Sequence, residues 1–240
     1  MNNRIDLCDL HAHVLPKADH GSSSVDVSVR QLSLAKKCGV SRIVATPHFY
    51  PHKTSVFDFL QKRDASYEEL RPFIPEGIEL KLGAEVLLCD NIENLPNLDK
   101  LCISGSKTLL LELPFSNLES SYMYSVAGII DRGINVVLAH AERYDPSFID
   151  ELVSVGASIQ LNAYVLCKRI NRDSYFYRWL TEGSVVAIGS DIHDTDKYAY
   201  AYFKKAIRKG GKFISQISGC SDALWHSFCE EKHSSDVIMK

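Results

Sequence analysis

The sequence has no apolar run near the roughly 20 residues that cross a bilayer; its longest, such as Thr108–Pro114, fall far short. The opening MNNRIDLCDLHAH turns polar and histidine-rich before the apolar core of a secretory leader could form. Neither secretion nor direct membrane insertion is expected, and a cytoplasmic setting is. Charge of one sign is not in excess either. Lysine and arginine number 27 against 30 aspartate and glutamate, a net −3. That leaves no basic stripe for nucleic acid and no acidic tail for a basic partner. Seven cysteines are scattered without a Cys-x-x-C pair, so reduced, partly buried thiols are expected rather than a disulfide framework or a thiolate zinc site. No Gly/Ser- or Pro-rich linker and no internal repeat divides the chain.

What is present is an ordinary globular mixture, 45% hydrophobic and 24% charged over 240 residues, well away from disorder. A single domain over residues 1–240 is expected, with about 210–240 as a terminal helix and tail. Short β-rich runs occur at Ile5–Leu10, Arg42–Thr46, Glu79–Leu87, Thr108–Leu113, Val136–Ala139, Ser158–Leu161 and Val185–Ile188. Amphipathic stretches at helical spacing lie between most of them, as at Val25–Lys37, Val56–Leu70, Ser120–Asp131 and Ser147–Val155. Gly39, Gly133, Gly156 and Gly183 stand where left-handed helix caps precede the next strand. The alternation predicts an α/β fold with a parallel sheet, and seven strand candidates suit a barrel.

The chemistry sits where these strands end. The first runs into Asp9-Leu10-His11-Ala12-His13, and alternate strand residues share a face, so His11 and His13 make a bidentate metal pair. The second ends at His48, the third carries Glu85, the fourth Glu112, the fifth His140 and Arg143, and the seventh Asp191 and His193. The C-terminal strand ends are where α/β barrels keep their active sites. Glu85 and Glu112 lie in apolar strands, where an unpaired carboxylate would cost several kcal/mol. With His20, the set offers nitrogen and oxygen donors and no thiolate, which fits two or three divalent ions. Multinuclear sites of this kind suit hydrolysis, above all of phosphate esters.

These residues carry a resemblance. The segments DLHAHVLPKADHGSSSVDVSV (9–29), GVSRIVATPHFYPH (39–52), GAEVLL (83–88), LLLELPF (109–115), VLAHAERY (137–144), IQLNAYVL (159–166) and IGSDIH (188–193) resemble the PHP (polymerase and histidinol phosphatase) superfamily. Within it, Thr-Pro-His and Ala-His-x-Glu-Arg-Tyr resemble the bacterial capsular and exopolysaccharide protein-tyrosine phosphatases. The resemblance implies a distorted seven-stranded (β/α) barrel and a metal-dependent phosphomonoesterase. Its implied partner is the phosphotyrosine tail of a bacterial tyrosine autokinase that regulates polysaccharide export. The implied cofactor is two or three divalent ions, manganese foremost, with iron, zinc or magnesium as alternatives.

Residue by residue, the resemblance implies one ion on His11, His13, Glu85 and Asp191. A second would share Glu85 and add Glu112 and His140, and a third would take His48, His193 and the residue before Gly21. Arg143 would clamp phosphate. Two departures stand out. The position before Gly21 is His20 where the family commonly has aspartate, with Asp19 as the fallback ligand. After His193 the chain reads Asp-Thr-Asp-Lys-Tyr, so Lys197 stands in for a second phosphate-binding arginine. No cysteine is followed six residues on by arginine, so the loop of thiol-based tyrosine phosphatases is absent. A small-molecule phosphatase such as one for histidinol phosphate, a phosphodiesterase, and a non-catalytic module keeping its metals for structure stay open as alternatives.

Overall fold

Gly39 shows how the chain alternates. The computed structural model describes residues 7–115, 118–168, 170–194 and 196–226. In it strand β1 (Leu7–Ala12) leads to helix α1 (Val25–Cys38), whose first turn is capped by the Ser24 side chain accepting from the Val27 amide. The helix buries Val27, Leu32 and Ala35, each apolar side chain removed from water adding roughly 1–3 kcal/mol. It ends at Gly39, whose φ of 89° would strain any other residue and whose N–H closes onto Ala35 and Lys36. Strand β2 (Val40–Ala45) begins at once. Gly133, Gly156 and Gly183 carry positive φ in the same way.

The sheet is wholly parallel but has nine strands, not the seven expected. After β2 come β3 (His48–Phe49), helix α2 (Val56–Leu70), β4 (Glu79–Leu82), β5 (Glu85–Leu87) and β6 (Thr108–Glu112). Helix α3 (Ser121–Asp131), β7 (Asn135–Leu138), α4 (Pro146–Ser154), β8 (Ser158–Asn162), α5 (Tyr175–Glu182) and β9 (Val185–Gly189) follow. The extra strands arise from two interruptions. Pro47 has no N–H to give a ladder, which separates β2 from β3, and Gly83-Ala84 separates β4 from β5. Both halves keep one register, since Ala45 pairs with Leu82 and His48 with Glu85, the same 37-residue separation. In the order β3-β5-β6-β7-β8-β9-β1-β2-β4 the two edge strands are chain neighbours of interior ones. The sheet therefore curls until its edges meet along that broken ladder, and the strands' C-terminal ends gather at one mouth.

Helices α6 (Ala199–Lys209) and α7 (Gly211–His226) close the chain as described. Ile214, Ile217 and Trp225 are buried, and Trp225 packs with Cys8, Leu10 and Val44. The expected tail beyond 226 and the expected strand start at Ile5 lie outside the described residues. Among the described residues no helix is long and apolar enough to cross a membrane, and Cys8, Cys38, Cys89, Cys102, Cys167 and Cys220 are free thiols.

Candidate metal centre

Glu85 opens β5 fully buried, and four imidazoles crowd it. Its Oε2 lies 3.1 Å from His11 Nε2, 3.2 Å from His13 Nε2 and 2.9 Å from His48 Nδ1, while Oε1 lies 2.9 Å from His140 Nε2. Glu112, the last residue of β6, adds oxygens 3.7 Å from His48 and 3.6 Å from His140. Asp191 places Oδ1 3.6 Å from His11, 3.5 Å from His13 and 3.5 Å from His193. His140 and Asp191 both sit just past their strands with positive φ, 33° and 50°. Such conformations cost about 1–3 kcal/mol outside glycine and collect at functional sites. Here they turn the chain sharply where both side chains join the cluster.

The tautomers fit a cation. His11 Nδ1 donates to Gln160 Oε1 (3.1 Å), an oxygen fixed as an acceptor by the His140 amide at 2.8 Å. His13 Nδ1 donates to Asp19 Oδ2 (2.6 Å), and His193 Nδ1 donates to the Asp191 carbonyl (3.0 Å). A carbonyl or carboxylate only accepts, so each ring carries its proton at Nδ1 and presents a bare Nε2. His11 Nε2 and His13 Nε2 then face each other at 3.1 Å. Glu85 Oε2 and His48 Nδ1, though 2.9 Å apart, are not aligned as a hydrogen bond, and His193 Nε2 is buried without one. Lone pairs aimed at one another in a largely buried cluster fit a shared cation rather than mutual hydrogen bonds. Donors converge in four groups: His11 with Glu85 and His140, His11 with His13 and Asp191, His48 with Glu85 and Glu112, and His13 with His48 and His193.

Electrostatics tell the same story for the protein alone. Burial presses the Glu85 carboxyl up, but His11, His13 and His140 hold it well below the usual carboxylate range. Burial likewise opposes Asp191, and His11, His13 and Arg143 hold it far down. His140, opposed by burial but drawn up by Glu112 and Glu85, reaches about 9. His193 is pushed down to about 4 by burial and by the neighbouring His13, which keeps its nitrogen lone pair available at neutral pH. Divalent ions would replace the protons that otherwise balance these carboxylates.

The remaining expected residues fall around this cluster. Arg143 stands at the end of a short 3-10 turn, its amide on the His140 carbonyl (3.0 Å) and its Nη2 paired with Asp191 Oδ2. His20 is exposed, its ring stacked 4.8 Å from His48 and 4.7 Å from His193, and it belongs to none of the four converging groups. Asp19 accepts from His13, from the His48 amide (3.0 Å) and from the Gly21 amide (2.8 Å), so it orients ligands. A Cβ on Gly21 would stand 2.0 Å from the Cβ of His13, so only glycine lets this loop close on the cluster. Lys197 is exposed with its ammonium over the Tyr198 ring, 5.0 Å from the centroid. Strand β8, from which no ligand is expected, supplies Gln160 and Asn162. Asn162 Nδ2 donates to Asp191 Oδ2 (3.3 Å) and its amide to Glu142 (3.3 Å). Their alternate placement in Ser-Ile-Gln-Leu-Asn is the one signal that could have found them: polar amides recurring on one face of an apolar strand.

A family profile, capsular polysaccharide synthesis, CpsB/CapC, matches residues 7–212. The tyrosine-protein phosphatase CpsB of Streptococcus pneumoniae is 26% identical over 209 residues, covering 79% of this chain and 84% of its own. The tyrosine-protein phosphatase YwqE of Bacillus subtilis is 26% identical over 200 residues, 78% of each. One of the crystal structures of YwqE from Bacillus subtilis and CpsB from Streptococcus pneumoniae, unique metal-dependent tyrosine phosphatases, shares the fold with a TM-score of 0.72 at 22% identity, over 91% of this chain and 94% of that one.

Proposed function

The chain belongs to the CpsB/CapC capsular polysaccharide synthesis family, and on that footing we propose that it is a metal-dependent protein-tyrosine phosphatase. The observation that carries the reading is the convergence of bare imidazole nitrogens and carboxylate oxygens on Glu85 beside an arginine at the barrel mouth. His11, His13, His48, Glu85, Glu112, His140, Asp191 and His193 hold two or three divalent ions, with His20 as a further ligand at the exposed corner and Asp19 as the residue that aims His13. An all nitrogen and oxygen donor set suits manganese, iron, zinc or magnesium. Such ions supply charge neutralisation for a phosphoryl group and a water acidified toward neutral pH.

The protein's own groups do the rest. The Arg143 guanidinium meets phosphoryl oxygens with a planar fork that a lysine lacks, and Lys197 adds a point charge at the rim. Buried Glu85 stays a carboxylate because His11, His13 and His140 hold it well below the usual range. The leaving phenol oxygen of tyrosine has an ordinary pKa near 10, so it departs with less proton assistance than an alkyl alcohol. The substrate is the phosphotyrosine tail of a bacterial tyrosine kinase that governs capsule or exopolysaccharide synthesis, met in the cytoplasm. The test is hydrolysis by the manganese-loaded protein of p-nitrophenyl phosphate, a phosphotyrosine peptide and histidinol phosphate, read as phosphate release, and of a short oligonucleotide, read as nucleotide release. The phosphotyrosine peptide should be the best substrate and chelation should abolish turnover. A preference for histidinol phosphate or the oligonucleotide would overturn the assignment.

A further inference from the structure

Phe115 is 72% exposed, although a phenyl ring gains most by burial. The other strongly exposed aromatics include Phe57 on α2, Phe73 just after it and Tyr124 on α3. Phe115 instead lies three residues past Glu112 at the mouth. Its ring stands nearly parallel to that of His140, 11° between planes and 6.5 Å between centroids, and 6.0 Å from the ring of Tyr144. The segment that carries it is fixed. The Tyr144 hydroxyl donates to the Leu113 carbonyl (2.8 Å), Pro114 fixes its own φ, and the Glu112 carbonyl accepts from Leu88 (2.8 Å). On the opposite flank, against the other oxygen of Glu85, Tyr50 stacks on His48 at 5.2 Å and 16°.

We propose that Phe115 is the aryl-recognition shelf of this site, stacking on the phenyl ring of the substrate and setting its preference for aryl over alkyl phosphate monoesters. The proposal rests on the phosphatase reading and adds its selectivity. In an aryl phosphate the ring begins one ester oxygen from phosphorus, so a phosphoryl group held between His140 and Arg143 brings the ring beside Phe115. A seryl phosphate offers only a methylene there. The backbone leading to the shelf is held through Leu113 before substrate arrives, so less of the segment has to be ordered for stacking.

The experiment pairs kinetics with a binding readout independent of turnover. The metal-loaded protein and its Phe115→Leu and Phe115→Tyr variants are assayed on one peptide carrying phosphotyrosine or phosphoserine, and titrated calorimetrically with phenylphosphonate and methylphosphonate. Phe115→Leu should lower kcat/KM for phosphotyrosine and affinity for phenylphosphonate about tenfold, while phosphoserine and methylphosphonate stay within about twofold. Phe115→Tyr should behave as the parent. Equal losses for aryl and alkyl ligands, or no loss for either, would overturn the shelf while leaving the phosphatase reading intact. A parent protein that cleaves neither peptide and binds neither phosphonate would overturn both.

Discussion

Replacing Arg143 by alanine tests the phosphate clamp, and its cost can be worked from the surroundings. The guanidinium is partly exposed while Asp191, its partner, is nearly covered. Burial presses its pKa down, but Asp191 and Glu142 raise it further, so it is charged at every working pH. A phosphate monoester carries about two negative charges, and a hydrogen bond to a charged group is worth about 1.5–3 kcal/mol. Loss of one such contact predicts a fall of about tenfold to a hundredfold in kcat/KM. Metal content should not change, because Asp191 keeps the Asn162 amide at 3.3 Å and the imidazoles of His11 and His13. Arg143→Lys should recover part of the loss, since charge returns without the fork. The assay is steady-state kinetics on p-nitrophenyl phosphate and a phosphotyrosine peptide, with metal measured on the same samples. An Arg143→Ala protein with parental kcat/KM would refute the clamp and leave the residue as a structural partner of Asp191.

Gln160→Ala removes the acceptor that fixes the His11 ring and the His140 amide; metal affinity, read by chelator competition, should fall about 10–100-fold, and parental affinity would count against the orienting role. Alkylation of cysteines should leave activity intact, because burial pushes Cys8 far up and Cys102 up to about 12 and, among the described residues, no cysteine joins the donor groups; inactivation that inorganic phosphate prevents would contradict this. Asp9 is buried and raised from 3.8 to about 6, chiefly by desolvation. A carboxyl raised on folding helps most below its unfolded pKa and loses that help as pH climbs from about 4 through 6, a swing on the order of 2–3 kcal/mol. In the chelated protein Asp9→Asn should therefore raise Tm at pH 7.5 and converge with the parent near pH 4; a variant less stable at pH 7.5 would contradict the sign.

The strand ends were legible because charged residues inside apolar runs are hard to explain otherwise. His11, His13, Glu85, Glu112, His140 and Asp191 converge on one cluster, with imidazole nitrogens 2.9–3.6 Å from carboxylate oxygens. The strand count was less legible, since Pro47 sets off a short strand past the expected Arg42–Thr46 run and Gly83-Ala84 splits the expected Glu79–Leu87 run, without changing their shared register. Asp19 looks in the sequence like a spare ligand, and only the fold reveals that Gly21 brings it under His13. Gln160 and Asn162 are neutral amides whose role depends on which strand neighbours β8, a long-range fact that local pattern does not hold. Phe115 reads as one more apolar residue ending a strand until its exposure is seen.

The account turns on an ion cluster centred on Glu85, and metal stoichiometry tests it most directly. Metal bound to the parent, Glu85→Ala and His193→Ala proteins is counted by inductively coupled plasma mass spectrometry, with phosphotyrosine hydrolysis measured in parallel. Glu85 contributes to two of the converging groups and touches four imidazoles, whereas His193 contributes to one. Glu85→Ala should therefore lose more metal than His193→Ala, and with it all activity. A Glu85→Ala protein that kept the parental metal complement and full turnover would contradict the account.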